Sequence, residues 1–190
     1  MTTKLSVLAI VLGISFCWLL SSCGEQKSTV ENDLSEAPSD EVVETRASPL
    51  RRVEGAIGGK QVKVQYGSPA VKGRKIWGDL VPYNEVWRTG ANEATHIEFA
   101  QPLLISGQTL PPGKYSIFTI PRESGPWTVI FNSEWDLEHG HYQYKEEHDV
   151  LRVTAEPTWE SSSQESLSIE VVPQGLVIKW EKLNLPITIE

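Results

Sequence analysis

After about residue 49 the apolar residues of this chain recur at every second position. That period builds strands with one buried face and leaves no amphipathic helix to form. Val62, Val64 and Tyr66 follow it, as do Ile97 and Phe99, Tyr115, Ile117 and Thr119, then Trp127, Val129 and Phe131, and later Leu167, Ile169 and Val171. Turn residues fall between these runs at short intervals: Ser106-Gly107, Pro111-Pro112-Gly113, Glu123-Ser124-Gly125-Pro126 and Pro173-Gln174-Gly175. Many short strands so punctuated predict an all-β domain, a mostly antiparallel β-sandwich or a barrel-like closure of one, over residues 49–190. Within it, Leu110-Pro111-Pro112-Gly113 predicts a tight turn feeding a strand from Lys114 to Ile120, which Pro121 ends. The closing run "GLVIKWEKLNLPITIE" predicts two further strands, the second broken by an edge position or bulge at Pro186.

The beginning of the chain has another character. Lys4 precedes an uncharged, mostly apolar run of 16 residues, Leu5 to Leu20, and then Ser21-Ser22-Cys23. This is the layout of a secretory signal, and the run is shorter than the roughly 20 residues that cross a bilayer comfortably. Leu20-Ser21-Ser22-Cys23 resembles a bacterial lipobox, which predicts a signal peptide over residues 1–22 and lipidation of Cys23 with fatty-acyl chains such as palmitate. Residues 23–48 then read as the acylated cysteine and an acidic tether, with seven carboxylates against Lys27 and Arg46 and too few apolar residues to repay ordering. As a random coil such a tether would hold the domain ~25–30 Å from the lipid. The expected address is the cell envelope, lipid-anchored, in the outer membrane rather than the inner, because no aspartate follows Cys23.

Charge and cysteine usage exclude several functions. The chain carries a net charge of −8, so neither nucleic acid nor an anionic headgroup surface is an expected partner, since both need a basic face. Its two cysteines, Cys17 and Cys23, both precede the domain, which removes disulfides, thiol catalysis and cysteine-ligated zinc from it. No G-x-S-x-G, H-E-x-x-H or glycine-rich phosphate loop occurs. Glu85, Glu93 and Glu98 could pair for glycoside hydrolysis, yet nearness in sequence says nothing of their separation in space. No cofactor is called for.

Two polar stretches carry what chemistry there is. In "VWRTGANEAT", Arg88 offers five fixed donors and Glu93 four acceptor positions, and a turn through Gly90 and Asn92, both tolerant of positive φ, would bring them face to face. Arg74, Trp87, Asn92 and Thr95 complete the group. It is either a self-satisfied structural clamp, with Arg74 as a second donor, or a surface that binds a small molecule, a glycan or an envelope protein. In "HGHYQYKEEHD", an extended backbone would put His139 and His141 on one face, with His148 returning as a third metal ligand. That metal-dependent hydrolase is the alternative to a non-enzymatic binding module. Among the tryptophans, Trp127 and Trp180 sit in strand alternation and are expected in the core, whereas Trp77, Trp87, Trp135 and Trp159 lie near turns where an exposed indole could stack on a sugar.

The runs "YGSPAVKGRKIWGDLVPYNEVWRTGANEATHIEF", "LPPGKYSIFTIP", "WTVIFN" and "DVLRV" resemble a family found largely in exported bacterial proteins, domain of unknown function 2911. The most specific match, K-G-R-x-I-W/F-G-x-L-V-P-Y-x-x-V-W-R-T-G-A-N-E-x-T, runs without a gap from Lys72 to Thr95. The stretch around residues 67–95, too ordered in composition for a linker and too polar for a core, predicts a long ordered loop, and the resemblance brings no catalytic residue with it. His139, His141 and His148 are not part of the family's pattern.

Overall fold

The computed structural model describes residues 46–190. The signal peptide, Cys23 and the tether as far as residue 45 lie outside the described residues.

Ten strands form in the order β1 (Leu50–Ile57), β2 (Lys60–Gly67), β3 (His96–Phe99), β4 (Leu103–Ile105), β5 (Gln108–Leu110), β6 (Gly113–Ile120), β7 (Trp127–Asn132), β8 (Asp149–Ala155), β9 (Thr158–Val172) and β10 (Gly175–Thr188). Two 3-10 turns, Gly140–Gln143 and Glu146–His148, separate β7 from β8. The main sheet is antiparallel throughout, ordered β1-β2-β3-β6-β7-β8. Across it lies the β9–β10 hairpin, and a small β4–β5 hairpin pairs with the end of the chain through Leu104 and Glu190, both hydrogen bonds 2.8 Å. The result is sandwich-like and not closed into a barrel.

Alternation in the sequence becomes two faces because the pairing register aligns like with like. On the inner face Val53 opposes Val64, Val64 opposes Ile97, and Ile97 opposes Tyr115. Further across, Ile117, Phe131 and Leu151 make a second row. These rows pack on Leu167, Ile169, Leu176, Ile178, Trp180, Leu183, Leu185 and Ile187 of the hairpin, all buried in one cluster. Each fully buried aliphatic side chain contributes about 1.5–3 kcal/mol, so the domain needs no disulfide.

The expected single break at Pro186 is displaced. β10 is one strand whose register shifts fall at Lys179–Glu181 and Glu181–Leu183, where Glu181 takes a φ of 54°. Pairing with β9 ends at Asn184, so Pro186 lies beyond the last partner and its missing N–H costs nothing.

The outer face is divided. One polar row, Arg52–Gln65–His96–Ser116–Asn132–Asp149, crosses all six strands of the main sheet. Beside it Phe118 and Ile130 form a small apolar patch with Ala94, covered by Val86, Leu137 and Tyr144. Two loops provide that cover: residues 68–95, which carry no named strand, and residues 133–148. Their junction is where the polar stretches singled out above meet.

Candidate functional site

The 68–95 loop is pinned to the sheet before it reaches Arg88. Trp87 exchanges backbone hydrogen bonds with Thr119 of β6, at 2.7 and 2.9 Å, as an isolated antiparallel bridge. Its indole enters the core: Trp87 is only 7% exposed, stacks on Trp180 at 5.9 Å and meets Trp77 edge-on at 5.7 Å. Trp77 in turn touches Trp127 and, at the surface, Trp159. The expectation of Trp87 as a ligand-facing residue is therefore corrected. A tryptophan beside a turn is drawn inward when other indoles offer a large apolar surface to bury against. Among the turn-proximal tryptophans, Trp159 is 48% exposed and Trp135 is half-buried beneath the Lys114 ammonium, 3.5 Å above its ring.

From Arg88 to Thr95 the chain makes a closed turn. Thr89 and Asn92 hold the positive φ values, 55° and 63°. Gly90 does not; a Cβ there would stand 2.8 Å from the Thr95 hydroxyl and 2.9 Å from the Gly67 carbonyl oxygen, so glycine is needed for close approach rather than for φ. Thr89 is a β-branched residue in the left-handed region, a strained conformation. It is held there by full burial, by a 3.2 Å hydrogen bond to Thr119 Oγ1, and by its carbonyl accepting from Thr95 Oγ1 at 2.9 Å. Thr95 is thus an internal strut and does not face a ligand.

Arg88 joins the two loops. Its Nη1 donates to the carbonyl oxygens of Asn92 at 2.8 Å and His139 at 3.3 Å. Gly140, with φ 51°, lies against the aliphatic stem of Arg88. Tyr142 reaches across the guanidinium, its ring 6.0 Å from Cζ, and the His141 and Tyr142 rings stand 4.1 Å apart. Burial lowers the arginine's affinity for its proton, with Tyr142 and Glu93 opposing. Burial and then Arg88 hold His141 below its ordinary pKa, with Glu85 opposing. Arg88 Nε and His141 Nδ1 are both buried without a protein partner.

The expected Arg88–Glu93 pairing is replaced by another. Glu93 takes both its contacts from Arg46, whose Nη2 lies 2.6 and 2.8 Å from the two carboxylate oxygens. Arg88 is already committed to two carbonyls, and Arg46 arrives from the stretch assigned by composition to the tether. Arg74 stands apart as well: its guanidinium donates to the carbonyls of Ala70 and Val71, closing its own loop.

Between these groups opens a cleft of about 470 Å³, lined by Arg46, Ser48, Arg88, Asn92, Glu93, Glu138, His139 and Tyr142. Of the residues expected at a binding surface, Arg88, Asn92 and Glu93 line it, while Arg74, Trp87 and Thr95 do not. Arg46, Ser48, Glu138 and Tyr142 are its unforeseen members. No local signal separates Tyr142 from Tyr144, two residues on in the same polar run, yet at 79% exposure Tyr142 is the most exposed large apolar side chain among the described residues while Tyr144 packs inward.

The histidines do not assemble a metal centre. Residues 140–143 wind as a 3-10 turn instead of extending, so His139 and His141 lose the shared face that a strand would give them. His139 accepts from Arg88 through its carbonyl, and His148 Nε2 lies 3.3 Å from Glu134, which also takes Lys145 at 3.2 Å. Among the described residues no three His, Cys, Asp or Glu converge as metal ligands. The hydrolase reading loses the geometry it required.

Residues 48–189 match the family described as Protein of unknown function (DUF2911). No curated protein and no solved structure matches the chain.

Proposed function

The chain belongs to the DUF2911 family, and from that premise we propose that it is a lipid-anchored binding module of the cell envelope whose cleft takes a glycan or a similar polyhydroxyl molecule. The observation that carries this reading is Tyr142, a wide-open aromatic ring at a cleft whose other walls are guanidinium, amide, carboxylate and hydroxyl groups. A sugar ring offers an apolar face to an aromatic and a rim of hydroxyls that both donate and accept. Arg46 and Arg88 balance Glu93 and Glu138, so the cleft has no net charge to select an ion. Asn92, exposed at the lip with its carbonyl held by Arg88, adds an amide able to do both.

Titration of glucose, galactose, mannose, N-acetylglucosamine and their short oligomers, followed by NMR, tests the cleft. At least one is expected to shift the signals of Tyr142 and Asn92, with binding lost in Tyr142→Ala and kept in Tyr142→Phe. If none moves them, or if Tyr142→Ala binds as well as the parent, the cleft is not a saccharide site.

The address rests on Leu20-Ser21-Ser22-Cys23. More than one acyl chain at Cys23, at ~0.8 kcal/mol per buried methylene, would hold an acidic protein on a membrane that its own surface does not attract. Labelling with a fatty-acid analogue should mark the protein and fractionate it with the outer membrane. Cys23→Ser should abolish the label.

A further inference from the structure

The wall of the cleft nearest the chain's N-terminal side is the segment Arg46-Ala47-Ser48, held by the Arg46–Glu93 ion pair just ahead of Pro49, whose carbonyl accepts from the Ser68 N–H at 2.9 Å. Arg46 and Glu93 are 47 residues apart, and their side chains are only 24% and 35% exposed. Arg46 also precedes the stretch that matches the family, which starts at residue 48. A carboxylate gripped through both oxygens by a single guanidinium nitrogen still has lone pairs to spare, and the guanidinium retains its other N–H groups. The pair thus closes a wall and keeps hydrogen-bonding capacity at that wall.

We propose that Arg46–Glu93 is a latch that seats the membrane-proximal segment in the cleft, so that seating of this segment and occupancy of the site are coupled. This rests on the cleft being the binding site, but the latch itself is tested without any ligand. With the latch closed, Arg46, Ala47 and Ser48 are part of the surface a ligand meets. With it open, the cleft loses a side and Glu93 loses the group that orients it. Linkage then makes the coupling reciprocal: a ligand that contacts the closed wall holds the segment down, and a seated segment tightens binding.

Trypsin reports the latch directly, because cleavage after Arg46 needs its side chain freed from Glu93, and where closing is fast the rate follows the open population. The full chain in detergent is digested, and cleavage after Arg46 is scored by mass spectrometry against cleavage after Lys27. Glu93→Gln removes the charge, and for a partly exposed pair the acceleration expected is about two- to fivefold. Glu156→Gln, which removes an exposed carboxylate outside the cleft, should change nothing. On the parent protein, raising the salt concentration should speed the same cleavage, which gives a readout even if Glu93→Gln folds poorly. Equal rates in parent and Glu93→Gln, acceleration by Glu156→Gln to the same degree, or indifference to salt would each overturn the latch. For coupling, the saccharide that most shifts Tyr142 should slow cleavage after Arg46 in the parent and not in Glu93→Gln. A saccharide that binds without slowing it overturns the coupling, whereas absence of any saccharide binding counts against the cleft and leaves the cleavage comparison standing.

Discussion

Gly140 presses on the side chain of Arg88 so closely that a Cβ built on it would lie 2.9 Å from Arg88 Cβ and 3.1 Å from Cγ. This contact, together with the hydrogen bond from Arg88 Nη1 to the His139 carbonyl, fastens the 133–148 loop to the 68–95 loop. Gly140→Ala should therefore destabilise the domain by about 2–3 kcal/mol, since the φ of 51° is unfavourable for alanine and the stem of Arg88 must give way. Urea unfolding measures it, and a loss below about 0.5 kcal/mol would mean that the loops are not fastened here.

The tryptophans separate by burial. Trp87→Ala should cost about 3–5 kcal/mol, because it empties a site enclosed by Trp77 and Trp180. Trp159→Ala, at a position half open to solvent, should cost under about 1.5 kcal/mol. Denaturation of the two variants side by side decides the ordering, and equal losses would contradict the core assigned to Trp87.

Tyr144 should hold its proton well past the ordinary phenol range. Burial, then its 2.7 Å hydrogen bond to Asp149, raise its pKa from 10.0 to about 12, with Arg152 opposing. The native state thus keeps a proton that the unfolded chain loses above pH 10. Stability from this group is complete below pH 10 and drains away as pH rises towards 12. Ultraviolet titration should show a late phenolate step that Tyr144→Phe removes.

Acid should weaken the fold before the carboxylates titrate. His96 is held below its ordinary 6.5 by burial first and Lys114 second, against Ala94, Glu98 and Asp136, and His141 is lowered too. In the native state both are neutral where the unfolded chain already binds protons. Their contribution is complete above pH 6.5 and falls as pH drops through and below that value. The thermal midpoint should decline between pH 7 and 5.5, and His96→Gln should flatten the decline. NMR titration of the His96 ring showing a pKa at or above 6.5 would refute the assignment.

Strands and faces were legible because they depend on neighbours two residues away. Val62, Val64 and Tyr66 state which side of β2 is buried without reference to anything else in the chain, and Trp127 and Trp180 declare themselves core by the same alternation. β9 was legible only in part: its serine-rich start, Thr158 to Gln164, carries almost no apolar signal and is a strand because β10 pairs with it. Side-chain partners obey no such local rule. Glu93 had Arg88 five residues away and took Arg46, 47 residues away, because the turn at Thr89 and Asn92 points Arg88 at main-chain carbonyls. His139 and His141 fell out of line when residues 140–143 wound into a 3-10 turn, and nothing in "HGHYQY" distinguishes that from an extended run. Alternation selects a face from within one segment, whereas a cleft is made where two loops meet, and which of their polar groups pair depends on the sheet that holds both loops in place.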